Sequence, residues 1–208
     1  MIGIHSNGQM GEKAPTTHVI SEWSIHPALV NHSIRSNCEA SLTKHYQSMH
    51  SINYRQGNAT QPVNRPGIIA HVCNDAGGWG KGFVMAISAR WDAPEFAYRK
   101  WHRQGTKPNS PTPFRLGLNQ LVQVEPDLHV MNMVAQHLYY DAITNPVPLR
   151  YDALEECLQA LFITAAERNL SVHLPTIGGG LARGDWKRIE ALIQKHMGNV
   201  PVTVYQLR

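Results

Sequence analysis

Two glycine-rich segments, Gly77-Gly78-Trp79-Gly80-Lys81-Gly82 and Gly178-Gly179-Gly180, constrain this chain more than anything else in it. Each directly follows an apolar run and directly precedes a helical pattern. Glycine lets a backbone approach a ligand closely and adopt positive φ. A helix N-terminus just beyond it offers unpaired N–H groups at the positive end of a dipole. Two such loops, both leaving strand ends, can grip a diphosphate from two sides if the fold brings them together.

The pattern between and around them is regular. Residues 51–55 read as a short strand, and Gly57-Asn58-Ala59-Thr60-Gln61-Pro62 as the turn that leaves it. Residues 67–72 are continuously apolar, as in a strand covered on both faces. Residues 83–90 read as a helix. The next helix starts at Pro94, with Phe96, Ala97 and Trp101 as its apolar side. Residues 105–113 hold three prolines and form a loop. Strands are expected at 118–124 and 128–135 around the turn Glu125-Pro126-Asp127. Residues 151–169 carry Leu154, Leu158, Leu161, Phe162 and Ala165 at helical spacing. A short strand at 171–174, a helix at 185–197 with Asp185 as its N-cap, and a strand at 200–207 complete the chain. Strands alternating with helices predict a three-layer α/β/α fold with a central mixed sheet.

The first fifty residues differ. They are rich in Ser, Asn and His and lack a sustained period, with one or two helical turns expected at 41–49. They read as a poorly ordered extension (1–50) preceding the domain (51–208), and Met49 is a candidate true start. Charge is mild, +4 at pH 7, and the Lys and Arg are scattered, which argues against a dedicated nucleic-acid binder. Cys38, Cys73 and Cys157 make an odd set without CxxC. Neither a disulfide framework nor a zinc cluster is expected, and the expected location is cytoplasmic. No run reaches a membrane span, and no cofactor or metal is expected.

Familiar nucleotide motifs do not fit. A P-loop requires a glycine where Asp75 stands and a hydroxyl residue where Gly82 stands, and Gly78, Gly80 and Gly82 lack Gly-x-Gly-x-x-Gly spacing. Instead, Ile68-Ile69-Ala70-His71-Val72-Cys73-Asn74 followed by Gly78-Trp79-Gly80-Lys81-Gly82 resembles the ADP-ribose-binding macro domain. The resembling branch holds ADP-ribose 1″-phosphate phosphatases and ADP-ribosyl-glutamate hydrolases. Gly57-Asn58, Pro175-Thr176-Ile177-Gly178-Gly179-Gly180-Leu181 with Trp186, and the ending Val202-Thr203-Val204-Tyr205-Gln206-Leu207 fit it too. The similarity covers about residues 51–208.

The resemblance implies a monomer that binds ADP-ribose, or an ADP-ribosylated protein or nucleic acid. It implies that Asn58 meets the adenine amine and Asn74 the distal ribose. Gly80, Lys81, Gly82 and Phe83 would wrap that ribose and the diphosphate, and Gly178, Gly179, Gly180, Leu181 and Ala182 would supply amides to the phosphates. The chain departs from the branch where its glutamate hydrolases carry a lysine and an aspartate: here Gln136 and Ala182 stand in those places. Another class has an aspartate near Val84. The groups left near the distal ribose are His71, Asp75, Lys81, Gln136, His137 and Asp185.

Two functions follow as expectations. One is a hydrolase removing a phosphate or ester from the distal ribose, with His71 or Asp75 aligning or deprotonating water and Lys81 or loop amides stabilising charge. The other is a non-catalytic reader of ADP-ribose. Each named residue also has a plainer role: His71 as a core histidine, Asp75 as a turn cap, Lys81 as a solvated cation, Cys73 as packing, Trp79 as core or as a cover over the ligand.

Overall fold

The structure, a computed structural model, describes residues 51–207. The readings made above for residues 1–50 lie outside the described residues. The order is β1 (Asn53–Gln56), β2 (Gly67–Asn74), α1 (Phe83–Ser88), α2 (Ala93–Gly105), β3 (Asn119–Glu125), β4 (Leu128–Gln136), α3 (Tyr151–Glu167), β5 (Ser171–Pro175), α4 (Trp186–His196) and β6 (Val202–Gln206).

The six strands form one sheet in the order β1-β6-β5-β2-β4-β3. All neighbours are parallel except β3, which pairs antiparallel with β4 at one edge. The sheet is therefore mixed, as expected. Its middle strand β2 shows why a continuous apolar run is needed there. Ile68 and Ala70 face a core shared with Leu154, Leu158 and Leu161 of α3 and Ile189 and Ile193 of α4. Ile69 and Cys73 face a second core with Val84 and Ile87 of α1 and Tyr98 of α2. Alternate side chains point to opposite faces, so helices on both faces require apolar residues at both parities. Each fully buried Leu or Ile contributes about 1.5–3 kcal/mol, which is why two cores hold the sheet between them. Among the described residues no helix is long and apolar enough to cross a membrane.

The apolar side expected for α2 needs correction. Phe96 is 67% exposed, whereas Pro94, Tyr98 and Gly105 are buried. Tyr98 can be buried whole because its hydroxyl donates to Asn74 O at 2.5 Å. A satisfied polar tip lets the ring act as a core residue, so the helix turns the face containing Tyr98 inward and leaves Phe96 in solvent. Trp101 is half-buried, packed edge-on against Phe114 at 4.7 Å between ring centroids.

One feature of the topology positions the site. The chain leaves β2 through α1 and α2 toward the β3 edge, and leaves the neighbouring β5 through α4 toward β6. Adjacent strands whose exits run in opposite directions leave a crevice beyond their carboxyl ends.

Candidate functional site

A cleft of about 1500 Å³ occupies that crevice. Its wall takes in the ends of β2, β5, β6 and β1 and both glycine loops. Asn58, His71, Asn74, Gly80, Lys81, Gly82, Phe83, Gly178, Gly180, Leu181 and Ala182 all line it. The loops are in mutual reach: a Cβ placed on Gly82 would lie 3.3 Å from Leu181 Cδ1. Of the sequence-derived candidates, Asp75, His137, Gly179 and Asp185 do not belong to the wall among the described residues.

Both loops present amides without internal acceptors. In the second, the N–H groups of Gly178, Gly179, Gly180, Leu181 and Ala182 have no partner among the described residues. The bend itself is closed by Gly184 N–H donating to Gly178 O at 2.8 Å and Arg183 N–H to Gly180 O at 3.1 Å. Gly178, at φ 69, supplies the left-handed backbone this bend requires. In the first loop the amides of Trp79, Gly80, Lys81, Gly82 and Phe83 are likewise open among the described residues. Successive free N–H groups of this kind form anion-binding concavities.

The wall's charge agrees with that chemistry. It contains Lys81 and Arg183 and, among the described residues, no Asp or Glu. Lys81 is exposed, and the Arg183 guanidinium stacks over Tyr140 at 4.5 Å. Tyr139, Tyr140 and Tyr205 also line the cleft, although the sequence reading did not single them out as site residues.

Asn74 is largely committed to shaping the first loop. Its Oδ1 accepts from Ala76 N–H at 3.0 Å and Gly78 N–H at 2.9 Å, while its Nδ2 donates to Gly78 O at 2.7 Å. Asn58 Oδ1 accepts from Thr60 N–H at 3.0 Å, leaving one carbonyl lone pair for a ligand.

His71 is 1% exposed and its imidazole is held by Asn132, its cross-strand neighbour on β4. Asn132 Nδ2 donates to Pro94 O at 3.2 Å and Gln120 Oε1 at 3.1 Å. Its Oδ1 is therefore the atom that faces His71, and His71 Nε2–H donates to it at 2.7 Å. Burial pushes His71 down to about 4, despite that bond. A neutral imidazole with its Nε2 proton engaged is a core histidine, and Cys73, whose thiol burial pushes up, is packing beside it. Trp79 is buried edge-on to His71 and donates its Nε1–H to Ser88 Oγ at 2.8 Å, so it fills the core while edging the cleft. It lies in a different core from Trp186, which packs edge-on to Tyr54.

Asp75 braces the loop after β4. Its Oδ2 lies 2.7 Å from His137 Nδ1, and its Oδ1 accepts from Leu138 N–H at 2.7 Å. Gln136 lines the cleft and donates its Nε2–H to Leu138 O at 2.7 Å, whereas Ala182 is buried. Asp185 caps α4, accepting from Lys187 N–H at 2.9 Å. Among the described residues no group of His, Cys, Asp and Glu could hold a metal ion.

The geometry matches known proteins. No protein-family model matches the chain. It is 48% identical to the macrodomain protein from Streptomyces coelicolor, over 75% of this chain and 99% of that one, with a TM-score of 0.65. A protein of unknown function from Bacteroides thetaiotaomicron is 42% identical over 74% of this chain and 97% of its own, with a TM-score of 0.69. The DarTG of Thermosipho africanus in complex with ADP-ribose shares the fold at a TM-score of 0.58 and 12% identity, over 86% of this chain and 51% of that one. Among curated proteins, Chromodomain-helicase-DNA-binding protein 1-like of Mus musculus is 29% identical over 74% of this chain, which spans only 18% of that longer protein.

Proposed function

Because this chain belongs to the macrodomain family, we propose that its cleft binds ADP-ribose, free or attached to a macromolecule. The observation that carries this reading is the convergence of two runs of open amides, one on each glycine loop, on one cleft that among the described residues holds no carboxylate. The diphosphate lies between the loops, where fixed N–H groups meet its oxygens. The adenosine lies toward Asn58 and Tyr205, and the distal ribose beside Asn74. The ligand carried by the Thermosipho africanus protein of the same fold supports this choice of nucleotide.

Titration calorimetry with ADP-ribose tests the reading. Saturable one-to-one binding is expected, and no heat at millimolar ligand overturns it. Asn74→Ala removes three hydrogen bonds that set the first loop. At about 1 kcal/mol each, with part recovered by water, affinity falls about tenfold or more. An unchanged dissociation constant counts against the assigned site.

A second reading, hydrolysis of a phosphate or ester at the distal ribose, rests on the Asp75–His137 pair, which adjoins Gln136 of the wall although neither residue lines it. Both Asp75 oxygens are engaged, so Asp75 is not itself the base. A carboxylate at Nδ1 orients an imidazole so that its Nε2 can take a proton from water, and His137 Nε2 has no partner among the described residues. In this reading His137 rather than His71 deprotonates the water, and loop amides stabilise the developing charge. His137→Gln then slows release of phosphate from ADP-ribose 1″-phosphate, or of ADP-ribose from an ester-linked substrate, by about tenfold to a hundredfold. Wild-type protein that binds but releases neither product is a reader.

A further inference from the structure

The structure assigns Arg99, on the outer helix α2, as the positioning residue that aims the first loop's amides. This inference rests on the reading of the cleft as a diphosphate site. Arg99 is not part of the cleft wall. Its NH2 donates to Trp79 O at 2.9 Å and its NH1 to Gly77 O at 3.3 Å.

The peptide planes of this loop are trans. In a trans peptide the carbonyl and the following N–H point in opposite directions. Arg99 takes the Trp79 carbonyl, so the Gly80 N–H on the other side of that plane is directed away from the guanidinium. The neighbouring planes obey the same rule. Asn74 Nδ2 takes Gly78 O, which directs the Trp79 N–H away from Asn74. The Gly77–Gly78 plane is held at both ends, by Arg99 on the oxygen and by Asn74 Oδ1 on the N–H. Three consecutive planes are thus set by two side chains. Trp79 and Gly80 line the cleft and their amides are open among the described residues.

This support is needed because of the glycines. The Trp79–Gly80 plane ends on a glycine, whose backbone turns at little steric cost, and its rotation would turn the Trp79 carbonyl oxygen toward a ligand phosphate. Arg99 prevents that, and is itself fixed. Its Nε donates to Glu95 Oε1 at 2.8 Å, Glu95 Oε2 accepts from Ser88 Oγ at 3.0 Å, and Ser88 Oγ accepts the Trp79 indole N–H. The ring of bonds returns to the loop it holds. The planar fork serves Glu95 and two carbonyls from three separate nitrogens; a lysine ammonium carries its three donors on one nitrogen at the end of a flexible stem.

The test compares Arg99→Lys and Arg99→Met with the wild-type chain, using ADP-ribose and adenosine as ligands. In both variants the dissociation constant for ADP-ribose rises about tenfold to a hundredfold, the scale of losing charge-assisted hydrogen bonds. Adenosine, which has no diphosphate, keeps its affinity within about twofold if the folded state persists. Relaxation NMR of the Gly80 amide gives the second readout: its order parameter falls from about 0.85 to below about 0.6 in Arg99→Met. Wild-type affinity in Arg99→Lys would show that charge alone suffices, and an equal loss for adenosine would show general loosening; either overturns the assignment. If the wild-type chain fails to bind ADP-ribose, the proposed function falls, and the Gly80 order parameter alone decides the role of Arg99.

Discussion

Gly180→Leu is expected to fold as the native chain does and to lose ADP-ribose affinity by about a thousandfold, or about 4 kcal/mol. A Cβ built on Gly180 meets nothing within 4 Å, and its φ lies outside the left-handed region. The fold therefore has no need of glycine at this position. Gly180 does line the cleft, with open amides on either side of it. A leucine side chain there fills space that the diphosphate must occupy and shields the N–H groups meant for it. Gly178 makes the contrast: at φ 69, with Leu149 carbons 3.0 Å and 3.1 Å from an added Cβ, it is required by the structure itself. Calorimetry with ADP-ribose alongside a thermal melt checks the prediction. Native affinity in a folded Gly180→Leu protein removes the diphosphate from between the loops.

Acid is expected to destabilise this protein above the carboxylate range. His71 and His173 are both buried, and burial lowers each from the ordinary 6.5 to about 4. His173 is further held by Asn64 O at 2.9 Å and Ser171 Oγ at 2.9 Å. The unfolded chain binds protons at these sites that the native state refuses, so stability is complete above pH 6.5 and is lost as pH falls toward 4. At pH 5 the expected loss is about 2 kcal/mol for each histidine, at 1.36 kcal/mol per pH unit below 6.5. Together that is about 4 kcal/mol, a large part of the 5–15 kcal/mol typical of a domain. His129, lowered by burial and by Arg168, acts with the same sign. Glu125, Asp141 and Glu155 have depressed pKa values, first through Arg65, the Thr144 backbone and Lys195, and their contributions are lost only at lower pH. Urea unfolding at pH 7 and pH 5 measures the difference, and equal free energies at the two values would refute it.

Much of the fold was legible because its signals are local. The double-faced apolar run of β2, the helical spacing of α3 and the N-cap at Asp185 each depend on residues a few positions apart, and each element stands where periodicity placed it. The inward face of α2 was not legible. Hydropathy favours Phe96 over Tyr98, and only the carbonyl of Asn74, 24 residues away in sequence, makes the tyrosine the better core residue.

The sequence by itself determined the two flexible amide-rich bends, the strands they leave and the absence of a lysine and an aspartate at Gln136 and Ala182. Backbone freedom at glycine and side-chain chemistry are properties of single residues, so they can be read without coordinates. Tertiary structure alone decided that the bends share one cleft, that Asp75 meets His137 across 62 residues, and that Arg99 reaches the loop from 20 residues beyond Trp79. Those facts depend on which strands neighbour one another. The packing of helices on both faces of the sheet sets that order, and no local pattern in the chain encodes it.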